Sequence, residues 1–463
     1  MAGPWSAGFR SLLHEHDYRI DEIDGTVPAA LRGTLFRNGS GRNQLAGRWF
    51  AHWFDGDGMI QAIRFDAQGI HYRNRYVDTP NWRDENQAGR IMHRGFGKMR
   101  PGGVLVNAFR MAANVSNTSV VLSDGKLLSL WEGGPPFELD PATLATRGLQ
   151  DFGGTVKAFS AHPRIDPDSG ELFNFGLDYG RRTTLTPYRL HRGSLTKLPP
   201  VTLPYPVMNH DFVLTEHHLV FCLGPILVHP IRFLLGLSSF DGALHWDGGK
   251  PTLILLVPRD GRDAPRFIET EAFFQFHFAN GYEADGTIVL DLARYPDYAT
   301  VGQALRDYWH SDWPAAGMAT LTRLRIDPAS DTVESRAYAA GSANEFPKVD
   351  PRRIGKRYRY AYIACNPADR ATGLQQQVAR VDLESGAVAC HDFGPHGYVG
   401  EPFFIPTGAG EDDGVVVAMV FDAATEGSAV VGLDARDLAA KPLFTARLRH
   451  PVPYGLHGCF SPD

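Results

Sequence analysis

The feature that most constrains this chain is a unit that recurs along its length: a short strand pattern, a turn opened by Asp, and a second strand pattern. It occurs as AIRFDAQGIHYRNRYV, PFELDPATL, HPRIDPDSGELFNFG, LRIDPASDTVESRAY, VARVDLESGAVACHDF and VVGLDARDLAAKPLF. In most copies β-branched and aromatic residues flank a D-P, S-G or similar step, the signature of antiparallel pairing. Six loose copies point to radial repetition, so the expected fold class is all-β, a β-propeller, as a single domain over residues 1–463. The copies are irregularly spaced, often wider than the roughly 40–45 residues of a compact blade, which calls for long inserted loops. A β-sandwich with a second β domain is the alternative. Helical periodicity is limited to Gly302 to His310 and Ala29 to Arg32.

Charge and cysteine usage narrow the function. Lys and Arg number 46 against 52 Asp and Glu, a net charge of −6, so the basic footprint of a nucleic-acid binder is missing. Cys222, Cys365, Cys390 and Cys459 are far apart with no CxxC, which argues against a disulfide framework or a thiolate zinc site. Met1 to Ile20 is mixed and polar with no apolar targeting core, so the expectation is a cytoplasmic protein with reduced thiols. No stretch has the 18 or so apolar residues of a spanning helix. The segment Gly224 to Phe240, GPILVHPIRFLLGLSSF, is either a buried helix or loop, or a surface helix with Leu227, Ile231, Phe233, Leu234 and Leu235 in lipid and Arg232 at the headgroups.

Eighteen histidines exceed what packing needs, and four stand apart by context: His162 in FSAHPRID, His210 in VMNHDFV, His277 in FQFHFANGYE and His457 in YGLHGCF. Each lies in an apolar or aromatic stretch, where an imidazole is costly to bury without partners. On a propeller, four such sites can converge on the axis from different blades. Four imidazoles without thiolate suit zinc, copper, nickel or iron, and each ligand needs its outer nitrogen held by a carboxylate or carbonyl. Glu132 (LSLWEGGPP), Glu345 (SANEFPKVD) and Glu401 (YVGEPFFIP) sit among Gly, Pro and aromatic residues, although turn capping is the ordinary role of any one of them. The pair in His14-Glu15-His16 also has chelating spacing, in a terminus expected to be mobile.

With these residues in view, the chain resembles the carotenoid cleavage oxygenases. The segments that carry the resemblance are LFRNGSGR (35–42), HWFDGDGMI (52–60), NVSNTSVV (114–121), LWEGG (130–134), FSAHPRIDPDSGELFNFG (159–176), NHDF (209–212), FHFANGYE (276–283), EFPKVDPR (345–352), GEPFF (400–404) and YGLHG (454–458). RGFGKMRPGGVLVNAF (94–109) is similar to the bacterial apocarotenoid-cleaving branch.

The resemblance implies a seven-bladed propeller whose loops form a cap and substrate tunnel over an axial metal. Fe(II) would be the only cofactor, held by His162, His210, His277 and His457. Glu132, Glu345 and Glu401 would bond three of these histidines, leaving His162 without one, and Thr118 would crowd a vacant position on the metal. The implied reaction splits a conjugated C=C bond of an apocarotenoid with O2, expected at the central 15,15' bond to give retinal. Several rings border the motifs, including Trp53, Phe212, Phe276, Phe346, Phe403 and Phe404, and propeller core is the ordinary role for most; Trp131, Phe54 and Phe278 are the candidates to contact an apolar polyene. The resemblance also implies that Gly224 to Phe240 surrounds the tunnel mouth and docks a monomer peripherally on the inner face of the membrane. Lignostilbene-type relatives carry a lysine close to the first carboxylate, where Trp131 stands here, which argues against a hydroxystilbene. A non-catalytic propeller scaffold would not need the complete set of four His and three Glu, and retinyl-ester isomerisation belongs to a distant branch.

Overall fold

In the computed structural model, residues 3–306, 308–310, 313–314, 317–370 and 372–463 are described. Seven antiparallel sheets of four to six strands are arranged as the blades of a β-propeller. In chain order, blade 1 spans 33–76, blade 2 119–149, blade 3 164–202, blade 4 213–270, blade 5 274–337, blade 6 342–392 and blade 7 397–447.

The recurring unit is a hairpin in each of its six occurrences. In every one the turn Asp accepts a hydrogen bond from the backbone N–H two residues on: Asp66 from Gln68, Asp140 from Ala142, Asp166 from Asp168, Asp327 from Ala329, Asp382 from Glu384 and Asp434 from Arg436, at 2.8 to 3.0 Å. This side-chain turn reverses the chain without requiring glycine at its first position, which is why the Asp repeats while the following residues vary.

Two crossings of the chain ends close the ring. The C-terminal strand Gly455–Pro462 pairs with Gly33–Arg42, with Leu35 opposite Phe460 and Arg37 opposite Gly458, and forms the innermost strand of blade 1. The N-terminal strand Glu22–Gly25 pairs with Phe444–Arg447 on the outer side of blade 7. Between blades the facing surfaces are apolar: Leu35, Met59, Phe65, Val417, Val430 and Phe444 pack between blades 1 and 7.

The helical expectations need correction. Helix Ala299–Leu305 starts and stops earlier than the 302–310 pattern; Arg306 is already extended, 308–310 form a turn, and Asp307 lies outside the described residues, as do Met1 and Ala2 of the N-terminal segment. Ala29 and Ala30 form a turn leading into a strand rather than a helix. Helix Pro80–Ala88 was not anticipated, although Thr79 accepts from the N–H of Trp82 as its cap and Pro80 opens it, both local signals. Among the described residues no helix is long and apolar enough to cross a membrane.

Leu35 is fully buried on the strand that joins the two chain ends of blade 1. Leu35→Ala is expected to cost about 2–5 kcal/mol, seen as a lower midpoint in chemical denaturation; an unchanged midpoint would mean that this seam does not limit stability.

Candidate metal centre

Each blade brings the start of its inner strand to the axis, and each start carries a polar residue. Thr118 precedes Ser119–Ser123, His162 precedes Arg164–Ile165, His210 precedes Val213–Leu214, His277 lies in Phe274–Ala284, Glu345 in Ser342–Lys348, and His457 in Gly455–Pro462. Glu401 lies between Gly397–Val399 and Phe403–Pro406 of blade 7. A radial repeat thus turns seven distant positions into one site.

The four histidines converge so that one nitrogen of each lies within 4.8 Å of those of the others. His162 Nε2 is 2.8 Å from His210 Nε2, and His277 Nε2 is 3.0 Å from His457 Nε2. On the outer side, His277 Nδ1 is 2.5 Å from Glu345 Oε2, His457 Nδ1 is 2.8 Å from Glu401 Oε1, and His210 Nδ1 meets Glu132 Oε1. Among the described residues His162 contacts no carboxylate; its backbone N–H donates to Ser160 Oγ at 3.2 Å.

The contacts of Glu345 and Glu401 fix the tautomers of His277 and His457. Burial works to raise the pKa of Glu401, but Lys348 and His457 outweigh it and bring it to about 2. Burial likewise opposes ionisation of Glu345, yet His277 and Tyr295 bring it below the usual carboxylate range. Ionised carboxylates only accept, so each facing Nδ1 carries the proton and each Nε2 presents a lone pair inward. Lone pairs about 3 Å apart cannot hydrogen-bond one another. Burial and the neighbouring imidazoles hold His162 well below its ordinary pKa, and burial holds His457 at about 4 despite Glu401. On His210 the Glu132 carboxylate overcomes burial and raises the pKa. A cation at the shared focus resolves the clash of lone pairs, so the donor set fits a borderline transition metal.

Three residues outside the anticipated set organise this centre. Asp211, almost fully buried, accepts from Arg164 Nη2 at 2.7 Å, from the Phe212 N–H at 2.7 Å and from the Phe278 N–H at 3.0 Å, joining blades 3, 4 and 5 beside His210. Tyr295 donates to Glu345 Oε1. Lys348 Nζ lies 2.8 Å from Glu401 Oε1. The NHDF and EFPKVD strings contain Asp211 and Lys348, but no local pattern tells such charges from surface ones.

A cavity of about 610 Å³ runs from the surface to the centre and is lined by Phe54, Thr118, Trp131, Glu132, His210 and Phe276 among others. A smaller space of about 70 Å³ lies beyond, also bordered by Phe54, Thr118, His210 and Phe276, with His277 and His457. Phe54, Trp131 and Thr118 all line the larger cavity. Phe278 does not: register shifts on either side of it break the alternation of its strand, and its ring packs between blades 4 and 5 with Val213, Ile254 and Leu290. The aromatic residue of this strand that faces the cavity is Phe276.

At the cavity mouth the helical turn Pro230–Leu234, which lines the cavity, packs beside the helical turn Val104–Asn107. Arg94, 1% exposed, joins them by donating to the carbonyls of Asn107, Arg110, Phe233 and Ser238 at 2.7 to 3.1 Å while lying over the Phe233 ring. Gly236, at φ 71°, sits against the backbone of Asn107 and Ala108, leaving no room for a side chain. The outer surface of this assembly is apolar: Leu105 is 90% exposed, Phe109 and Met111 72% each, and Ile231 70%, with Leu234, Leu235 and Leu237 beside them. Phe233, expected to be exposed, is buried under Arg94, and Leu227 is half-buried in a small hairpin with His245. His14 and His16 are not part of a metal-binding group among the described residues; His16 instead stacks on His450, with ring centroids 3.8 Å apart.

The sequence pattern of the family described as retinal pigment epithelial membrane protein matches residues 9–462. The chain is 36% identical to the apocarotenoid-15,15'-oxygenase of Synechocystis, covering 99% of this chain and 96% of that one. It is 30% identical to lignostilbene-alpha,beta-dioxygenase isozyme III of Sphingomonas paucimobilis over 97% of this chain and 95% of that one. The crystal structure of the cobalt-substituted Synechocystis oxygenase superposes with a TM-score of 0.93 at 35% identity, covering 99% and 98% of the two chains.

Replacing His277 or His457 with Ala is expected to abolish stoichiometric Co(II) binding in calorimetric titration. Glu345→Gln keeps the four donors and is expected to weaken affinity about 10–100-fold. Undiminished affinity in Glu345→Gln would remove its orienting role.

Proposed function

The chain belongs to the retinal pigment epithelial membrane protein family of carotenoid oxygenases, and on that footing we propose that it is an Fe(II)-dependent dioxygenase that cleaves an apocarotenoid at its central 15,15' double bond. The observation that carries the reading is the apolar cavity of about 610 Å³ that ends on His210. His162, His210, His277 and His457 would hold the iron, which when bound supplies the one-electron activation of O2. Both oxygen atoms would enter the products, one aldehyde from each carbon of the broken bond, one of them retinal.

The chain's own residues prepare the substrate. Phe54, Phe96 and Phe276 stand edge to face, with centroids 5.5 and 6.3 Å apart, and give the polyene a wall free of hydrogen-bonding groups. Their faces also favour positive charge developing along a conjugated chain. Thr118, whose Oγ1 donates to Asn117 Oδ1 at 3.2 Å, is held at the junction of the two cavities and limits how the substrate approaches the histidines. Glu132 and Trp131 line the large cavity together, so the carboxylate that orients His210 also borders the substrate.

The exposed apolar surface at the mouth supports a peripheral membrane contact, in which a monomer on the cytoplasmic face draws its substrate from lipid. Ile231 and Met111 belong both to that surface and to the cavity lining, so a polyene could pass between them without crossing water.

Aerobic incubation of the iron-loaded protein with an apocarotenal and a hydroxystilbene together, followed by chromatography, tests the proposal. Retinal is expected while the stilbene persists. Aromatic aldehydes with the apocarotenal intact would move the protein to stilbene cleavage.

A further inference from the structure

We infer that Lys348 is a positioning residue that tunes the metal through Glu401, an inference that rests on the iron proposed above. Lys348 and Glu345 share the inner strand of blade 6, Ser342–Lys348. Three residues apart on a regular strand, they would face opposite sides. A register shift lies between them, with Glu345 opposite Ala364 and Lys348 opposite Tyr362, and Phe346 lies within it at φ 54°. The extra residue turns both side chains to the axis. One strand thus reaches two ligand pairs: Glu345 meets His277, and Lys348 crosses to Glu401 of blade 7, which holds His457.

The three carboxylates differ in what else they bond. Among the described residues Glu132 bonds only His210 and borders the cavity. Glu345 accepts from the neutral Tyr295 hydroxyl and, at 2.9 Å, from the Phe346 N–H. Glu401 is the one of the three bonded by a Lys or Arg: its Oε1 accepts from Lys348 Nζ and from His457 Nδ1, both at 2.8 Å, while Oε2 takes the Gly458 N–H at 2.9 Å. Lys348 Nζ also lies 5.7 Å from the centroid of the Phe403 ring and has no other ion-pair partner among the described residues. A second cation backs the same side. Arg37 is buried against Gly400 and Gly455, where an added Cβ would come within 3.2 Å of its guanidinium. A carboxylate bonded to Nδ1–H raises the basicity of the imidazole, and a cation on the same oxygen draws that density back. His457 is therefore a weaker donor than His277. The positive charge of Lys348 also disfavours ferric iron more than ferrous. Lys348 thereby raises the potential of the metal and holds it ferrous in air between turnovers.

The test is a potentiometric titration of the iron-loaded full chain, followed by electron paramagnetic resonance of the ferric form. Lys348→Met is expected to favour the ferric state about tenfold, a fall of about 59 mV in the midpoint. Lys348→Gln is expected to do the same, and Lys348→Arg, which keeps the charge, to stay at the parent value. Glu401→Gln removes a negative charge and is expected to move the midpoint upward. Calorimetric titration with Co(II) gives a second readout: binding about tenfold tighter in Lys348→Met, because a cation has left the neighbourhood of a divalent ion. An unchanged midpoint in both neutral variants, or one that rises as in Glu401→Gln, would overturn the inference and leave the iron proposal in place. A parent chain that retains no iron would overturn both.

Discussion

The closure of the ring by the strand Gly455–Pro462 is the constraint on which the rest depends. The same strand that pairs with Gly33–Arg42 to seal blade 1 carries His457 to the axis, where it meets His277 and Glu401. Ring closure and site assembly are thus one event. If blade 1 were unsealed, the propeller would expose edge strands and the axial donors would lose one of their number. Inner strands that begin at similar heights put seven polar residues from seven blades within reach of one point, although none of the histidines is near another in sequence.

Buried charge then fixes what that point can hold. Glu345 and Glu401 are ionised in surroundings that would otherwise favour the neutral acid, because His277, Tyr295 and Lys348 are placed against them. Their charge determines which nitrogen of His277 and of His457 carries the proton, so these two Nε2 lone pairs face each other with no hydrogen to share between them. Asp211 applies the same logic to the frame, taking one Arg and two backbone N–H groups from three blades around His210. Because these acceptors are satisfied, the inward-facing donors are held in place around an electron-rich focus inside an apolar fold.

Above the centre the design changes from charge to surface. The cap is made of loops too long for turns and too apolar for solvent, and Arg94 holds two of them together by their carbonyls. That arrangement leaves leucines and a phenylalanine outside and an aromatic-lined cavity inside, with Ile231 and Met111 shared between the two.

The local chemistry of the sequence was enough for the strand units, because a hairpin and its Asp turn are formed by residues within about ten positions of each other, and all six turns proved to be such hairpins. It was also enough to single out four histidines and three glutamates, since an apolar setting is an unusual place for each. Direction and distance were decided by tertiary structure. Phe278 follows His277 by one residue and has the composition of a cavity ring, yet the register shifts in its strand turn it into the blade core and leave Phe276 facing the cavity. The mouth joins residues 94–111 to 230–240, segments more than a hundred residues apart, through Arg94, whose role depends on carbonyls that only the folded chain brings together. Residue type and short spacing are written in the sequence; which face a side chain takes, and which distant backbone it meets, is settled only when the ring closes.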